Sequence, residues 1–168
     1  MTVGGICSGD ENQLKDFDDD LILTQDFDEL LNNVDAIFIV SHPSKHYKQA
    51  KKALENGVHV LCESPIALKE EELCELFKLA KKNNLILMDS IKTAYSTAYN
   101  RLLLLAKKGK IGDVISVDAT CTSLADGSGD DWNSITAWGP TALLPVFQLL
   151  GTDYKDKNIN SLLLDSAE

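Results

Sequence analysis

The sequence lacks the features that mark a membrane-spanning or exported protein. No apolar run approaches the roughly 18 residues that a transmembrane helix needs. The N-terminus has no basic stretch followed by an apolar one, so no secretory signal is visible. The four cysteines form no Cys-x-x-Cys pair, and outside an exported context they are expected to be free thiols. We therefore expect a cytoplasmic protein that does not associate with membranes.

Clustered positive charge is also missing. Sixteen lysines and arginines stand against 26 aspartates and glutamates, which gives a formal net charge of -10. Binding to nucleic-acid phosphates needs grouped basic side chains, so we expect no nucleic-acid partner. The chain is 44% hydrophobic and 25% charged, a composition that can form a core and a solvated surface.

A glycine-rich phosphate-binding turn of the form Gly-x-Gly-x-x-Gly is absent as well. Gly4-Gly5 has neither a third glycine nor a helical run after it, and Gly127-Ser-Gly129 lies in an acidic segment. Such a turn holds a pyrophosphate with backbone N–H groups at a helix N-terminus. We interpret both glycine pairs as ordinary turn or strand glycines.

The first half of the chain alternates short apolar runs with amphipathic segments, which predicts strand–helix–strand units on a parallel sheet. After Thr2–Cys7, the predicted strands are Leu21–Thr24, Ala36–Val40, Val58–Cys62 and Leu85–Met88. Because Ala36–Val40 is uninterruptedly apolar, we expect that strand to be covered on both faces.

Three helices are predicted between these strands. The first is capped by Asp26 and extends to Leu31, and the second is capped by Ser44, extends to Asn56 and ends at Gly57. The third, from Lys69 to Asn83, places a set of apolar side chains on one face: Leu73, Leu76, Phe77 and Ala80.

After Asp89 the pattern changes. A helix from Ala94 to Lys108 is followed by a strictly alternating segment, Val114–Ser123, which predicts a strand with one polar face. The remaining predictions are a loop over Ala125–Asn133, an apolar helix over Pro140–Leu150 and a short strand at Leu162–Leu164.

Two strings in the middle of the chain resemble a known family. Val34-Asp-Ala-Ile-Phe-Ile-Val-Ser-His-Pro43, followed by His46, and Ala53-Leu-Glu-Asn-Gly-Val-His-Val-Leu-Cys-Glu-Ser-Pro65 are similar to segments of the glucose-fructose oxidoreductase, inositol dehydrogenase and MocA family. Members of that family read Thr-Pro-Asn-x-x-His after one strand and Glu-Lys-Pro after the next. The likeness extends from about Thr2 to about Gly151.

The resemblance implies an α/β fold: an incomplete Rossmann-like parallel sheet over residues 1–90, followed by part of an α+β C-terminal domain over 91–168. It places Thr2–Cys7 at the family's second strand, so the first strand and glycine loop are expected to be missing. It implies NAD or NADP as cofactor, a sugar or polyol-like substrate, and a homo-oligomer through the C-terminal sheet. The cofactor-binding residues that it implies are Ser8, Ser41, His42, Pro43, His46, Glu63, Ser64 and Pro65.

Several positions depart from the family pattern. Ser64 stands where members carry the lysine of Glu-Lys-Pro, and Thr141 and Leu144 stand where they carry a histidine and an aspartate. Serine has neither the charge nor the reach of lysine. Ser8 falls where members often have an acidic residue on the ribose hydroxyls, and a serine there would tolerate a 2′-phosphate.

These departures leave several interpretations open. Lys92 and Asp89 could replace the missing cation and base, or Lys92 could be a solvated residue at a helix start. His42 and His46 are four residues apart, as in some zinc sites, but no third ligand is evident and we expect no metal. The chain is therefore either an oxidoreductase, with its catalytic residues unassigned, or a catalytically degenerate homologue that binds a nucleotide or a protein. It could also be a domain of a larger protein.

Overall fold

The computed structural model describes residues 2–17, 20–121 and 134–160. The strands are β1 (Gly5–Cys7), β2 (Ile22–Thr24), β3 (Ala36–Ile39), β4 (His59–Cys62) and β5 (Leu87–Asp89). The α-helices are α1 (Phe27–Leu31), α2 (Pro43–Glu55), α3 (Glu70–Lys82), α4 (Lys92–Tyr95), α5 (Thr97–Lys107) and α6 (Ser134–Leu150), and a short 3-10 helix covers Glu11–Leu14. In this part of the chain no helix is both long and apolar enough to cross a membrane.

The strands form two parallel sheets. One pairs β1 with β2, with Ile6 opposite Leu23, and the other has the order β3-β4-β5, with Phe38 opposite Leu61 and Leu61 opposite Met88. A Rossmann sheet has the strand order 3-2-1-4-5-6. If the first strand is left out, the remainder is a pair, 3-2, and a triplet, 4-5-6, which matches the two sheets observed here. The predicted incomplete Rossmann-like α/β fold is confirmed.

The core lies on one face of the three-stranded sheet. Side chains of α2 and α3, such as Leu54 and Leu76, pack there against Ile39 and Val60, and all of them are almost fully buried. The opposite face is largely open, because Phe38 is 51% exposed and Met88 is 41% exposed. The expectation of a strand covered on both faces is therefore wrong for β3. Both crossovers run in the same direction along the sheet, so their right-handedness places α2 and α3 on the same side.

The helices follow local chemistry, with one correction to a helix end and one to a buried face. Asp26 caps α1 as predicted, its side chain accepting from the Asp28 N–H at 2.9 Å. The cap of α2 is His42 instead of Ser44, because Pro43 starts the helix at a position where its missing N–H costs nothing. Gly57 follows this helix with φ 80°, a conformation that favours glycine. In α3, Phe77 is 50% exposed and does not share the buried face with Leu76.

The second half departs further from the predictions. The predicted helix over 94–108 is split, because extended backbone at Ser96 separates α4 from α5. No strand forms over the described part of Val114–Ser123, residues 114–121, where Ile115 is 93% exposed. A strand needs a partner to satisfy its backbone groups, and no described strand pairs with this segment. The predicted loop over 125–133 and the strand over 162–164 lie outside the described residues.

Candidate functional site

Three strands of one sheet end at the same edge. The Glu63 N–H, just after β4, donates to the Ile39 carbonyl at 2.9 Å, and the Ser90 N–H, just after β5, donates to the Cys62 carbonyl at 2.8 Å. The loop that starts at Ser41 follows β3, so its polar residues lie at this edge too. Ligands of open parallel α/β sheets bind outside the carboxyl ends of their strands. The candidate site is therefore this edge.

His46 joins the two predicted cofactor loops. Its side chain is only 1% exposed, with Nδ1 2.9 Å from the Pro65 carbonyl oxygen and Nε2 2.7 Å from the Ser41 carbonyl oxygen. The first loop, Ser41–Pro43, and the second, Glu63–Pro65, are thus brought together by one ring. The peptide bond between Ser64 and Pro65 is cis.

Local contacts fix the first loop. The Ser41 hydroxyl donates to Gln49 Oε1 on the second turn of α2. His42 Nδ1 lies 2.8 Å from Ser44 Oγ and accepts from the Ser44 N–H at 3.3 Å. The role of Gln49 was not predicted, because a glutamine on a helix eight residues away carries no sequence signal for such a contact.

Ser64 and Asp89 lie together at the strand ends with unsatisfied polar atoms. Ser64 Oγ and Asp89 Oδ1 are buried, and neither has a hydrogen-bond partner of ordinary geometry. Burial raises the pKa of the Asp89 carboxyl above its usual range, and the neighbouring Ser64 hydroxyl, the Ile91 backbone N–H and the charge of His46 lower it by smaller amounts. Desolvation disfavours the charged form of a carboxyl, whereas hydrogen-bond donors and a nearby positive charge favour it. Both influences act on Asp89, and burial is the larger of them.

Cys62, at the end of β4, is not a nucleophile. Its side chain is fully buried, and burial raises the pKa of the thiol to about 12, with smaller contributions from the charges of Asp89 and Glu63. Only a thiolate is reactive, so this thiol is inert at neutral pH. All four cysteines are free, as predicted.

Ser8 lies at the end of β1, in the two-stranded sheet. Its hydroxyl donates to Gln13 Oε1 at 2.7 Å and accepts from the Asp10 N–H at 3.2 Å. The structure thus places Ser8 after a parallel strand, as the resemblance implies. The two loops that His46 joins follow strands of the other sheet.

The described residues fit only part of a dinucleotide site. Gly5 does not belong to a phosphate turn, because a Cβ on it would lie 2.6 Å from the Ile22 carbonyl oxygen, and close strand packing explains this glycine. In the described residues, β1 is followed by a single glycine, Gly9, and the short 3-10 helix Glu11–Leu14, and not by a Gly-x-Gly-x-x-Gly turn and an α-helix. The strand-end loops can thus contact a nicotinamide nucleotide, whereas a pyrophosphate cradle is not among these elements.

The other candidate residues lie on helices of the second half. Lys92 is the exposed first residue of α4, and the Tyr95 hydroxyl on the same helix donates to the Asp89 carbonyl at 2.7 Å. Thr141 and Leu144 are half-buried on α6, which packs against α5 where the Tyr99 hydroxyl donates to Gln148 Oε1 at 2.6 Å.

The spacing of His42 and His46 does not produce a metal site. Pro43 starts α2 between them, so they do not share a helix face, and both nitrogens of His46 face carbonyl oxygens. In the described ranges no three His, Cys, Asp or Glu side chains group in a way that could hold a metal ion.

Comparisons with known proteins agree with this description. Residues 1–90 match the model of the oxidoreductase family with an NAD-binding Rossmann fold, GFO_IDH_MocA. The dTDP-3,4-didehydro-2,6-dideoxy-alpha-D-glucose 3-reductase of Streptomyces violaceoruber is 32% identical over 107 residues, which are 62% of this chain and 31% of that protein. The scyllo-inositol 2-dehydrogenase (NADP(+)) IolU of Bacillus subtilis is 37% identical over 68 residues, or 40% of this chain and 21% of that protein.

Among solved structures, the 3-ketoreductase KijD10 from Actinomadura kijaniata, in complex with NADP and TDP-benzene, superimposes with a TM-score of 0.80. Its sequence is 22% identical, and the match covers 89% of this chain and 49% of that one. At this identity the likeness shows a shared fold. The chain spans about a third or less of the two curated relatives described above and about half of this solved structure.

Proposed function

Because this chain belongs to the glucose-fructose oxidoreductase, inositol dehydrogenase and MocA family, whose model describes an NAD-binding Rossmann fold, we propose that it forms part of an NAD(P)-dependent oxidoreductase acting on a sugar or polyol. One observation carries the proposal. The loops Ser41–Pro43 and Glu63–Pro65 meet at the carboxyl edge of a parallel sheet, joined there by His46. The relatives named as a sugar reductase and an inositol dehydrogenase support the substrate class.

The place of the missing phosphate cradle is the interval between β1 and β3. Gly4 O and Ser8 N bond to β2, so by alternation the backbone groups of Gly5 and Cys7 point to the other edge of β1. Likewise the carbonyl oxygens of Asp35 and Ile39 accept hydrogen bonds from His59 and Glu63, at the two ends of β4. The backbone groups of Phe38 therefore point away from β4. These two free edges border the position of the first Rossmann strand.

We infer that a strand, a glycine turn and a helix from outside these 168 residues pair between the two edges. Such a strand would join the two sheets, and the turn after it would bring backbone N–H groups to the carboxyl edge, where the His46-linked loops lie. The helix would cover part of the open sheet face on which Phe38 is exposed. A nicotinamide nucleotide bound there supplies the hydride chemistry, and the protein supplies orientation and a proton acceptor.

Binding of the nucleotide is the first test. NADH and NADPH are titrated by fluorescence against this chain and against the chain with a family-type strand, Gly-x-Gly-x-x-Gly turn and helix fused before Thr2. We expect the fused form to bind one of the two nucleotides at least tenfold more tightly, a gain of about 1.4 kcal/mol. If the fused form folds and binds neither, the oxidoreductase proposal fails. Comparing the two nucleotides also tests the role of Ser8. This serine stands where family members often carry a carboxylate and would tolerate a 2′-phosphate, so tighter binding of NADPH than of NADH would support that role.

A second candidate function is a degenerate homologue that binds a nucleotide or a protein without catalysis. The buried Ser64 hydroxyl favours it, because a serine has neither the charge nor the reach of the lysine that family members carry at this position. Ser64→Lys in the fused form, with Ser64→Ala as control, separates the two candidates. Turnover of a polyol by Ser64→Lys alone supports a degenerate site, whereas turnover by the unsubstituted protein supports an active oxidoreductase.

Cytoplasmic location and homo-oligomerisation also stay proposals. The described residues 114–121 form no strand that could build an intersubunit sheet. The oligomer proposal therefore depends on the resemblance alone, and sedimentation of the fused form would test it. A single monomeric species at micromolar concentration would argue against it.

A further inference from the structure

His46 has contacts that a neutral imidazole cannot satisfy. Nδ1 lies 2.9 Å from the Pro65 carbonyl oxygen, and Nε2 lies 2.7 Å from the Ser41 carbonyl oxygen. A carbonyl oxygen can only accept a hydrogen bond, and a neutral imidazole has a single N–H. In either neutral tautomer one ring nitrogen would direct its lone pair at a carbonyl oxygen, inside a site where the side chain is 1% exposed.

The position of His46 makes a positive charge costly unless it is balanced. It is the fourth residue of α2, and the N-terminus of a helix is itself electropositive. A buried charge also loses its hydration, which a nearby opposite charge has to offset. The charge of His46 therefore needs a negative neighbour.

Asp89 is the group that meets this need. Its half-buried carboxyl lies at the end of β5, close enough for the charge of His46 to act on it. Three other titratable groups stand at the ends of the elements next to the ring: His42 before α2, and Cys62 and Glu63 at the end of β4. The Cys62 thiol is neutral, His42 is exposed at the helix cap, and Glu63 is the remaining carboxylate.

We propose that His46 is a positioning residue that carries a proton on both ring nitrogens and clamps the two strand-end loops together, with Asp89 as its counter-charge. Each ring N–H donates to one loop, so the distance between the loops is set by one rigid ring. Loss of either proton turns one of the two contacts into a repulsion and lets the loops separate. That these two loops contact a nucleotide rests on the function proposed above, whereas the protonation of His46 does not.

The protonation can be read directly. The 168-residue chain has three histidines, so long-range ¹H–¹⁵N correlation of the labelled protein at pH 7 gives three ring patterns, assigned with His42→Ala and His59→Ala. His59 is an internal control, because its Nδ1 accepts from the Ile86 N–H at 2.9 Å and must be unprotonated. We expect two protonated nitrogens for His46 and one for His59. A single protonated nitrogen on His46 would overturn the proposal.

The counter-charge is tested by a matched pair of variants, Asp89→Asn and Glu63→Gln. We expect His46 to lose one ring proton in Asp89→Asn at pH 7 and to keep both in Glu63→Gln. If Asp89→Asn keeps both protons, or if Glu63→Gln loses one, the assignment of Asp89 is wrong. Failure of the fused chain to bind a nucleotide would refute the proposed function and would leave these ring patterns unchanged, so the two failures are distinguishable.

Discussion

Replacing Gly5 by alanine tests whether this glycine serves strand packing instead of phosphate binding. A Cβ at this position would lie 2.6 Å from the Ile22 carbonyl oxygen, 2.8 Å from Ile22 Cβ and 2.9 Å from Leu30 Cδ1. The leucine methyl can rotate away, but Ile22 belongs to the β1–β2 ladder and cannot move without disturbing its hydrogen bonds. We expect Gly5→Ala to lower the free energy of unfolding by about 1–3 kcal/mol, the usual cost of overpacking a close contact.

Gly9→Ala is the matched control, because a Cβ on Gly9 meets nothing within 4 Å. Its effect should stay within about 0.5 kcal/mol, as for other surface substitutions. Urea unfolding followed by far-UV circular dichroism measures both variants. Equal stabilities for Gly5→Ala and Gly9→Ala would refute the packing account. A loss of nucleotide affinity in Gly5→Ala without loss of stability would instead indicate a phosphate-binding role.

Three further predictions concern the core. Leu76 is fully buried on α3, so Leu76→Ala should lower the free energy of unfolding in urea by about 2–5 kcal/mol. The neighbouring Phe77 is half exposed, and Phe77→Ala should lower it much less. Similar losses in the two variants would contradict the burial of Leu76. The Cys62 thiol, with a pKa of about 12, should react with iodoacetamide at pH 8 about a thousandfold more slowly than an ordinary thiol of pKa about 8.5. Cys74 is exposed and should react first, and mass spectrometry of the labelled peptides measures both rates. Because this pKa is raised in the folded chain, the stability that the Cys62 thiol contributes is present below about pH 8.5 and is lost as the pH rises towards 12, so a Cys62→Ser variant should show a weaker alkaline loss.

The sheet was predictable from the sequence because each of its strands is a short apolar run bounded by polar turns. The observed strands Ala36–Ile39 and His59–Cys62 lie within the predicted segments. Asp26 caps the start of α1 and Gly57 follows the end of α2, as their chemistry requires. The break at Ser96 was not predictable from periodicity, since the apolar pattern continues on both sides of it. The alternating segment after Val114 shows the converse limit, because alternation describes a strand only where a partner exists.

The candidate site was only partly predictable. Family motifs indicated the two loops and His46, but neither spacing nor composition shows that both nitrogens of His46 face carbonyl oxygens. The pairing of Ser64 with Asp89 needed the parallel register of β4 and β5, which brings residues 25 positions apart to one edge. Contacts of this kind depend on the folded sheet and leave no local pattern.

Nucleotide binding by the fused form tests the central claim most directly. The account predicts that adding the strand, glycine turn and helix before Thr2 produces saturable NADH or NADPH fluorescence changes, and that replacing the first glycine of the added turn with valine abolishes them. The unfused chain should bind at least tenfold more weakly. Equal binding by the fused and unfused chains, or no binding by a folded fused chain, would contradict the account.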